Sequence, residues 1–269
     1  MKSRAPLSTG SRTRDGREVR VYAIGDIHGR IDLLETLIDR IQADVIRRPH
    51  ASMRIIILGD FIDRGPGSAK IVDLLIHLKT EPHVIVLRGN HEAIMLDAYS
   101  GDHSAMDLWL EHGGLATLES FGAELGEIEI DDTRAMIKLA RRVIPRRVIA
   151  WIAKLPTHVQ FGQYYFVHAG IRPGVPLCDQ QDEDRLWIRQ VFTECAHDHG
   201  AVIVHGHTVN EGGVSFAPNR IGVDTGAYRT GLLSAVAVQG DRLWTIDTRP
   251  DGTSSASTET RELRQTVRA

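Results

Sequence analysis

Short β-branched apolar runs that stop abruptly at polar residues recur along this chain. Val19 to Ile24 stops at Gly25-Asp26, MRIIIL (53–58) stops at Gly59-Asp60, and HVIVL (83–87) stops at Arg88-Gly89-Asn90-His91. Runs this short and this rich in Val and Ile read as buried strands. Between them the apolar positions shift to helical spacing: Ile31, Leu34, Leu37, Ile38 and Ile41, then Ile71, Leu74, Leu75 and Leu78. Strand alternating with helix predicts a parallel sheet with right-handed crossovers.

From about Glu92 to Leu155 the pattern is helical throughout. SAMDLWLEHGGLATLESFG predicts two short helices parted at Gly113-Gly114, where a helix C-cap explains the glycines. DTRAMIKLARRVIPRRVIAWIAKL predicts two more, parted at Pro145. Strands then return. QYYFV (163–167) ends at His168, and AVIV (201–204) ends at His205-Gly206-His207. RIGVDTG, LLSAVAVQ and DRLWTID follow closely, with a hairpin turn predicted at Gly240-Asp241. Close spacing predicts a second, more antiparallel sheet. The expected class is α/β, with a folded domain over 19–248, a helical cap over about 92–155, and polar, mobile tails at 1–18 and 249–269.

Composition narrows the function classes. Of 269 residues, 42% are hydrophobic and 25% charged, as in soluble globular proteins. The net charge of -3 offers no general attraction to nucleic acid or to acidic membrane. No apolar stretch approaches the roughly 20 residues of a membrane span, and the basic start lacks a signal-peptide core. Cys178 and Cys195 form no CxxC and no disulfide framework, so reduced thiols in a cytoplasmic protein are expected. Thirteen histidines direct attention to metal chemistry.

Asp26, His28, Asp60, Asn90, His91, His168 and His207 all fall at or just beyond predicted strand ends. In open α/β folds the ligand site lies outside the carboxyl ends of the strands, so one crevice can gather them. A mixed oxygen and nitrogen set suits a pair of first-row divalent ions, and the absence of sulfur argues against a structural zinc site.

The motifs GDIHG, GDFIDRGPGS, LRGNHE, FVHAG and HGHT resemble the ordered signature of the metallophosphoesterases. GDxxDRG and RGNHE narrow the resemblance to the phosphoprotein phosphatase branch. HAGIRPGVPLCDQQDEDRLWIRQVF is similar to its bacterial serine/threonine phosphatase members. The resemblance runs from about residue 20 to 245 and implies a two-sheet αββα sandwich flanked by helices. It implies Asp26 and His28 on a first metal, Asp60 bridging, and Asn90, His168 and His207 on a second. Manganese is the implied ion, with iron or zinc as alternatives. The broader family carries GHxH, but here Val209 replaces the last histidine. His205 matches no ligand position and is expected to be structural. Arg64, Arg88 and Arg189, with Asn90, are the implied phosphate-binding residues. His91 is the implied general acid and Asp63 its orienting carboxylate.

The implied activity is hydrolysis of phosphoserine and phosphothreonine in proteins, or of a small phosphate ester. The runner-up is symmetrical dinucleoside-tetraphosphate hydrolysis. A metal-binding pseudoenzyme is the third reading, and the intact set of ligands, arginines and acid opposes it. The motifs do not separate the first two. The segment 92–155 is expected to roof the pocket, and RRVIPRR (141–147) either holds a polyphosphate or forms a solvated helix face. His103, His112, His197 and His199 are expected to face solvent, Trp109, Trp151 and Trp187 to pack, and Tyr228 to edge the pocket. No nucleic-acid or membrane partner is expected.

Overall fold

The first apolar run is buried on both faces, because two layers compete for its alternate side chains. The computed structural model describes residues 8–9, 19–48, 52–78, 81–126, 128–250 and 258–259. The first sheet is built from β2 (Val19–Ile24), β3 (Ser52–Ile57) and β4 (Val84–Val86), all parallel. Tyr22 and Ile24 point into the core beneath the helices, while Val21 and Ala23 point toward the other sheet. That explains why the run reads as continuous rather than alternating. The crossovers α1 (Ile31–Arg47) and α2 (Ser68–Leu78) bury Leu34, Leu37, Ile41, Ile71 and Leu75 on the outer face.

The second sheet has β5 (His158–Phe161), β6 (Tyr164–Val167), β7 (Val202–His205), β8 (Ser215–Ala217) and β9 (Arg220–Gly222). It is mixed: β6, β7 and β9 run parallel, and β5 and β8 flank them antiparallel. Its inner face meets the first sheet through Val159, Phe166, Val204 and Val223. Its outer face is covered by α8 (Asp182–Trp187) and α9 (Gln190–Thr193), with Phe192 at the centre. The layers are therefore αββα, as expected.

One expectation is corrected. The hairpin of β10 (Ser234–Gln239) and β11 (Arg242–Asp247) belongs to the first sheet, with β10 antiparallel to β2 and Ala237 opposite Tyr22. Alternation shows that Val236 and Val238 need one core and Ala235 and Ala237 the other. It does not identify the neighbouring strand. The two-residue turn at Gly240-Asp241 is present, with Gly240 at φ +58.

The cap consists of α3 (Asn90–Ser100), α4 (His103–Glu111), α5 (Gly114–Ser120), α6 (Thr133–Val143) and α7 (Arg146–Ile152). Gly113 at φ +98 ends α4, and Pro145 caps α7, as the pattern predicted. A single turn, α10 (Ala227–Thr230), precedes β10. Most of both tails lies outside the described residues. Within them, β1 (Ser8–Thr9) pairs with β5, and β12 (Thr258–Glu259) pairs with β11. Among the described residues no helix is long and apolar enough to cross a membrane.

Candidate metal centre

Among the described residues, five that are not glycine have positive φ: His28, Asp60, Asp63, Arg64 and His207. All five lie in the loops after β2, β3 and β7. Such backbone is disfavoured for residues with a Cβ and persists where the surroundings impose it. Here the loops brace one another. The Asp60 carbonyl accepts from the amides of Ile27 (3.0 Å) and His28 (2.9 Å), and a Cβ on Gly59 would come within 2.6 Å of the Gly89 amide.

Two buried groups of donor atoms result. His28, Asp60 and His91 form one, and Asp60, His168 and His207 form the other, each with its atoms within 4.8 Å of one another. Asp60 is common to both. His28 Nδ1 bonds the Ile62 carbonyl and His168 Nδ1 bonds the Leu58 carbonyl, both at 3.0 Å. Those bonds place the proton on Nδ1 and leave each Nε2 for the site. Asn90 Oδ1 lies 2.8 Å from His168 Nε2. Asp26 lies outside both groups. Its two oxygens accept from the His207 amide at 3.2 and 3.0 Å.

The electrostatics point to missing positive charge. Burial, then the charges of Asp224 and Asp60, pushes Asp26 well above the usual carboxylate range. Burial raises Glu92 to about 8 and Asp224 to about 6, with the Asp60 charge adding to both. Burial opposes the charge of Asp60, but His168, His91 and His28 outweigh it and hold that carboxyl low. Burial drives His207 down to about 2, and its Nε2 is buried without a partner. A buried cluster of carboxyls and imidazoles, with the His207 Nε2 left without a partner, fits two divalent cations.

Beside these donors His91 is hydrogen-bonded to a buried carboxylate. His91 Nδ1 donates to Asp63 Oδ2 at 2.7 Å. Asp63 also accepts from Trp109 Nε1 (3.0 and 3.1 Å) and from the Thr117 hydroxyl (2.6 Å). Burial pulls the His91 pKa down, but the Asp60 charge and the Asp63 bond outweigh it and raise it. His91 Nε2 is 3.8 Å from Asp60 Oδ2, so its position allows ligation as well as acid chemistry.

Arg64 reaches across the centre, with Nη1 at 3.0 Å from His28 Nε2 and Nη2 at 3.2 Å from His91 Nε2. Its guanidinium stacks over Tyr228 at 4.3 Å, and Tyr228 stands edge-on to His28, so Tyr228 does border the site. Arg88 is half-buried, with an unpartnered Nε, and its amide donates to the Pro156 carbonyl at 2.9 Å. Arg189 is exposed just before α9, and its charge helps lower His168 and His207.

The remaining residues sort by contact. His205 is buried, bonds the Gly206 carbonyl at 3.0 Å and packs against Phe192. His103 and His197 are exposed, and His199 is half-buried against Asn219. His112 departs from expectation: it is half-buried, its ring 6.0 Å from that of His91. Trp109 and Trp151 lie in the core and Trp187 is half-buried. Arg141 donates to the Tyr99 and Ser100 carbonyls at the end of α3, and Arg147 pairs with Asp73 on α2. Sequence reasoning missed Glu92 and Asp224 as parts of the site. Asp224 carried a usable signal, since it ends a strand run as Asp26 and Asp60 do.

The model of the calcineurin-like phosphoesterase family matches residues 19–225. The zinc-dependent endopolyphosphatase of Saccharomyces cerevisiae is 25% identical over 81% of this chain and 75% of its own length. Serine/threonine-protein phosphatase 2 of Escherichia coli is 35% identical, over 35% of this chain and 38% of its own. The symmetrical bis(5'-nucleosyl)-tetraphosphatase of Cellvibrio japonicus is 34% identical over 66% of this chain and 57% of its own. The match spans less than two thirds of the last two relatives. A crystal structure provisionally named as a diadenosine tetraphosphatase shares the fold, with a TM-score of 0.58 at 21% identity over 94% of this chain and 98% of that one.

Proposed function

The chain belongs to the calcineurin-like phosphoesterase family, and from that premise we propose that it is a dinuclear-metal phosphatase acting on phosphoserine and phosphothreonine in proteins. The observation that carries the reading is the pair of buried donor groups sharing Asp60, with the His91–Asp63 bond beside them. Asp26, His28 and Asp60 would hold one ion, and Asp60, Asn90, His168 and His207 the other. Two such ions, of manganese, iron or zinc, lower the pKa of water and neutralise phosphoryl charge.

The chain's own residues do the rest. Arg64 offers two parallel N–H donors to phosphoryl oxygens, and Tyr228 keeps the guanidinium plane in place. Arg88 and Arg189 add positive charge for the equatorial oxygens. His91, protonated, delivers its Nε2 proton to the leaving oxygen. Asp63 keeps the Nδ1 proton in place, and the bonds from Trp109 and Thr117 prevent Asp63 from turning away.

A protein substrate is favoured because Arg141, in the run proposed as a polyphosphate clamp, is instead bonded to the Tyr99 and Ser100 carbonyls of the cap. The longer alignment with the tetraphosphatase supports dinucleoside tetraphosphate as the second reading. The deciding experiment assays a phosphoserine peptide and a dinucleoside tetraphosphate side by side. The protein is first stripped with chelator and then reloaded with manganese, iron or zinc. Preference for the peptide supports the proposal, preference for the dinucleotide replaces it, and full activity without metal overturns both.

A further inference from the structure

Glu92 closes the motif LRGNHE, yet nothing above gives it work. Its side chain is fully buried in the first turn of α3. Oε2 accepts from the Gly89 amide at 2.8 Å, an ordinary capping-box bond. The other three bonds leave the helix. Oε2 also accepts from the Asp60 amide (2.9 Å), and Oε1 accepts from the amides of Phe61 (2.9 Å) and Ile62 (3.3 Å). One carboxylate therefore joins the loop after β3 to the loop after β4. The first loop carries Asp60, and the second leads into α3, whose first two residues are Asn90 and His91.

Asp60 is the hub of the centre. Its carbonyl holds Ile27 and His28, its Oδ1 accepts from the His91 amide at 3.1 Å, and its φ is +45. Positive φ is uncommon for any residue with a Cβ, although Asp tolerates it better than most. Bonds from Glu92 to its amide and to the next two amides fix the strained turn. The loops are also closely packed: a Cβ on Gly89 would meet the Asp60 amide nitrogen at 2.5 Å.

We propose that Glu92 is the positioning residue that sets the spacing between the two metal sites, by clamping the turn that carries the shared ligand Asp60 to the start of α3. It acts through Asp60 and Asn90 and touches neither substrate nor ion. This rests on the dinuclear reading above. Four N–H donors on two oxygens need both oxygens as acceptors. Glu92→Gln keeps the shape but turns one acceptor into a donor facing amide hydrogens. Glu92→Asp keeps the charge but is one methylene too short to serve both loops.

The test measures manganese binding to the chelated protein by calorimetry, the exchange coupling between the bound ions by electron paramagnetic resonance, and kcat and KM on p-nitrophenyl phosphate. Wild type should bind two coupled ions. Wild type binding none would overturn the metal reading itself, and Glu92 with it. Glu92→Gln should bind at least one ion about 10- to 100-fold more weakly, the usual range for residues that orient ligands. At saturating metal its coupling should change and its kcat should fall, with KM within about twofold of wild type. Glu92→Asp should behave the same way. Two normally coupled ions and wild-type kcat in either variant overturn the proposal. So does failure of both variants to fold at saturating manganese, because Glu92 would then hold the fold rather than the spacing.

Discussion

The two ends of β2 are both buried and both polar, but they are built on opposite principles. At the starting end, Asp44 receives the Tyr22 hydroxyl (2.8 Å) and Trp244 Nε1 (3.2 Å), and pairs with Arg48. Arg20 bonds the Tyr22 hydroxyl at 3.1 Å and Gln239 at 2.9 Å, and lies 3.9 Å from Asp44. One carboxylate meets two guanidinium groups, so the cluster carries its own counter-charge. At the other end, Asp26, Asp60, Glu92 and Asp224 crowd together, and burial raises three of the four. Equal burial thus conceals opposite roles. A cluster that satisfies itself is structural, whereas one that accumulates like charge is arranged for ions from outside.

The sharpest way to break this contrast is to neutralise a carboxyl at each end. Asp60→Asn should abolish hydrolysis and cost more activity than Asp26→Asn, because Asp60 is shared by both donor groups. Asp26→Asn should leave the metal-free protein as stable as wild type or more so, since it removes a carboxyl whose ionised form burial and the neighbouring carboxyls disfavour. Asp44→Asn should do the reverse, costing about 3–5 kcal/mol of stability while kcat per folded molecule is kept. Melting curves of chelated protein, with kcat and metal content, check all three. Loss of stability at both ends alike would remove the distinction.

His91→Asn sharpens the catalytic end. With metal content unchanged, kcat on a phosphoserine peptide should fall roughly 10²- to 10⁴-fold, the range for acid catalysis. The loss on p-nitrophenyl phosphate should be much smaller, because that leaving group departs without a proton. Equal losses on both substrates together with lost metal would make His91 a ligand, as its place in the first donor group allows.

What could be read from the sequence follows the same divide. That His28, Asp60, His91, His168 and His207 come together was legible because each sits at or just beyond the end of an apolar run. Strand ends are local features. Glu92 was not legible, since an acid in a first helical turn is ordinary and only the fold brings Asp60, Phe61 and Ile62 to it. The cap's helix breaks at Gly113 and Pro145 were legible because they are set by local backbone chemistry. The place of β10 beside β2 was not, because strand pairing is a tertiary choice. The helices α8 and α9 are too short for periodicity to show.

Metal loading should stabilise only the catalytic end. Each manganese ion at about 100 times its Kd adds about 2.7 kcal/mol to folding. The gain should vanish in Asp60→Asn and persist in Asp44→Asn. Thermal melting with and without manganese measures it, and an equal gain in Asp60→Asn would show that the ions bind elsewhere.

The remaining effect concerns two other buried histidines, His158 and His205. Burial lowers His158 and His205 to about 4, from an ordinary value of 6.5. Between those values the unfolded chain binds protons that the folded chain refuses. Their contribution to stability is therefore complete above pH 6.5 and lost as pH falls toward 4. Each histidine contributes a slope of at most about 1.4 kcal/mol per pH unit within that window. His158 is the better probe, because both its ring nitrogens are buried without a partner and its ring stacks on Tyr165 at 5.2 Å. His158→Phe keeps the stack and removes the titration. Melting temperatures of chelated protein should fall less steeply from pH 6.5 to 4 in this variant than in wild type, while the pH dependence above pH 7 stays the same. Chelation matters, since protonation of the metal-site histidines would otherwise release ions over the same range. An unchanged acid slope would mean that His158 titrates normally in the folded chain and that its burial carries no charge penalty.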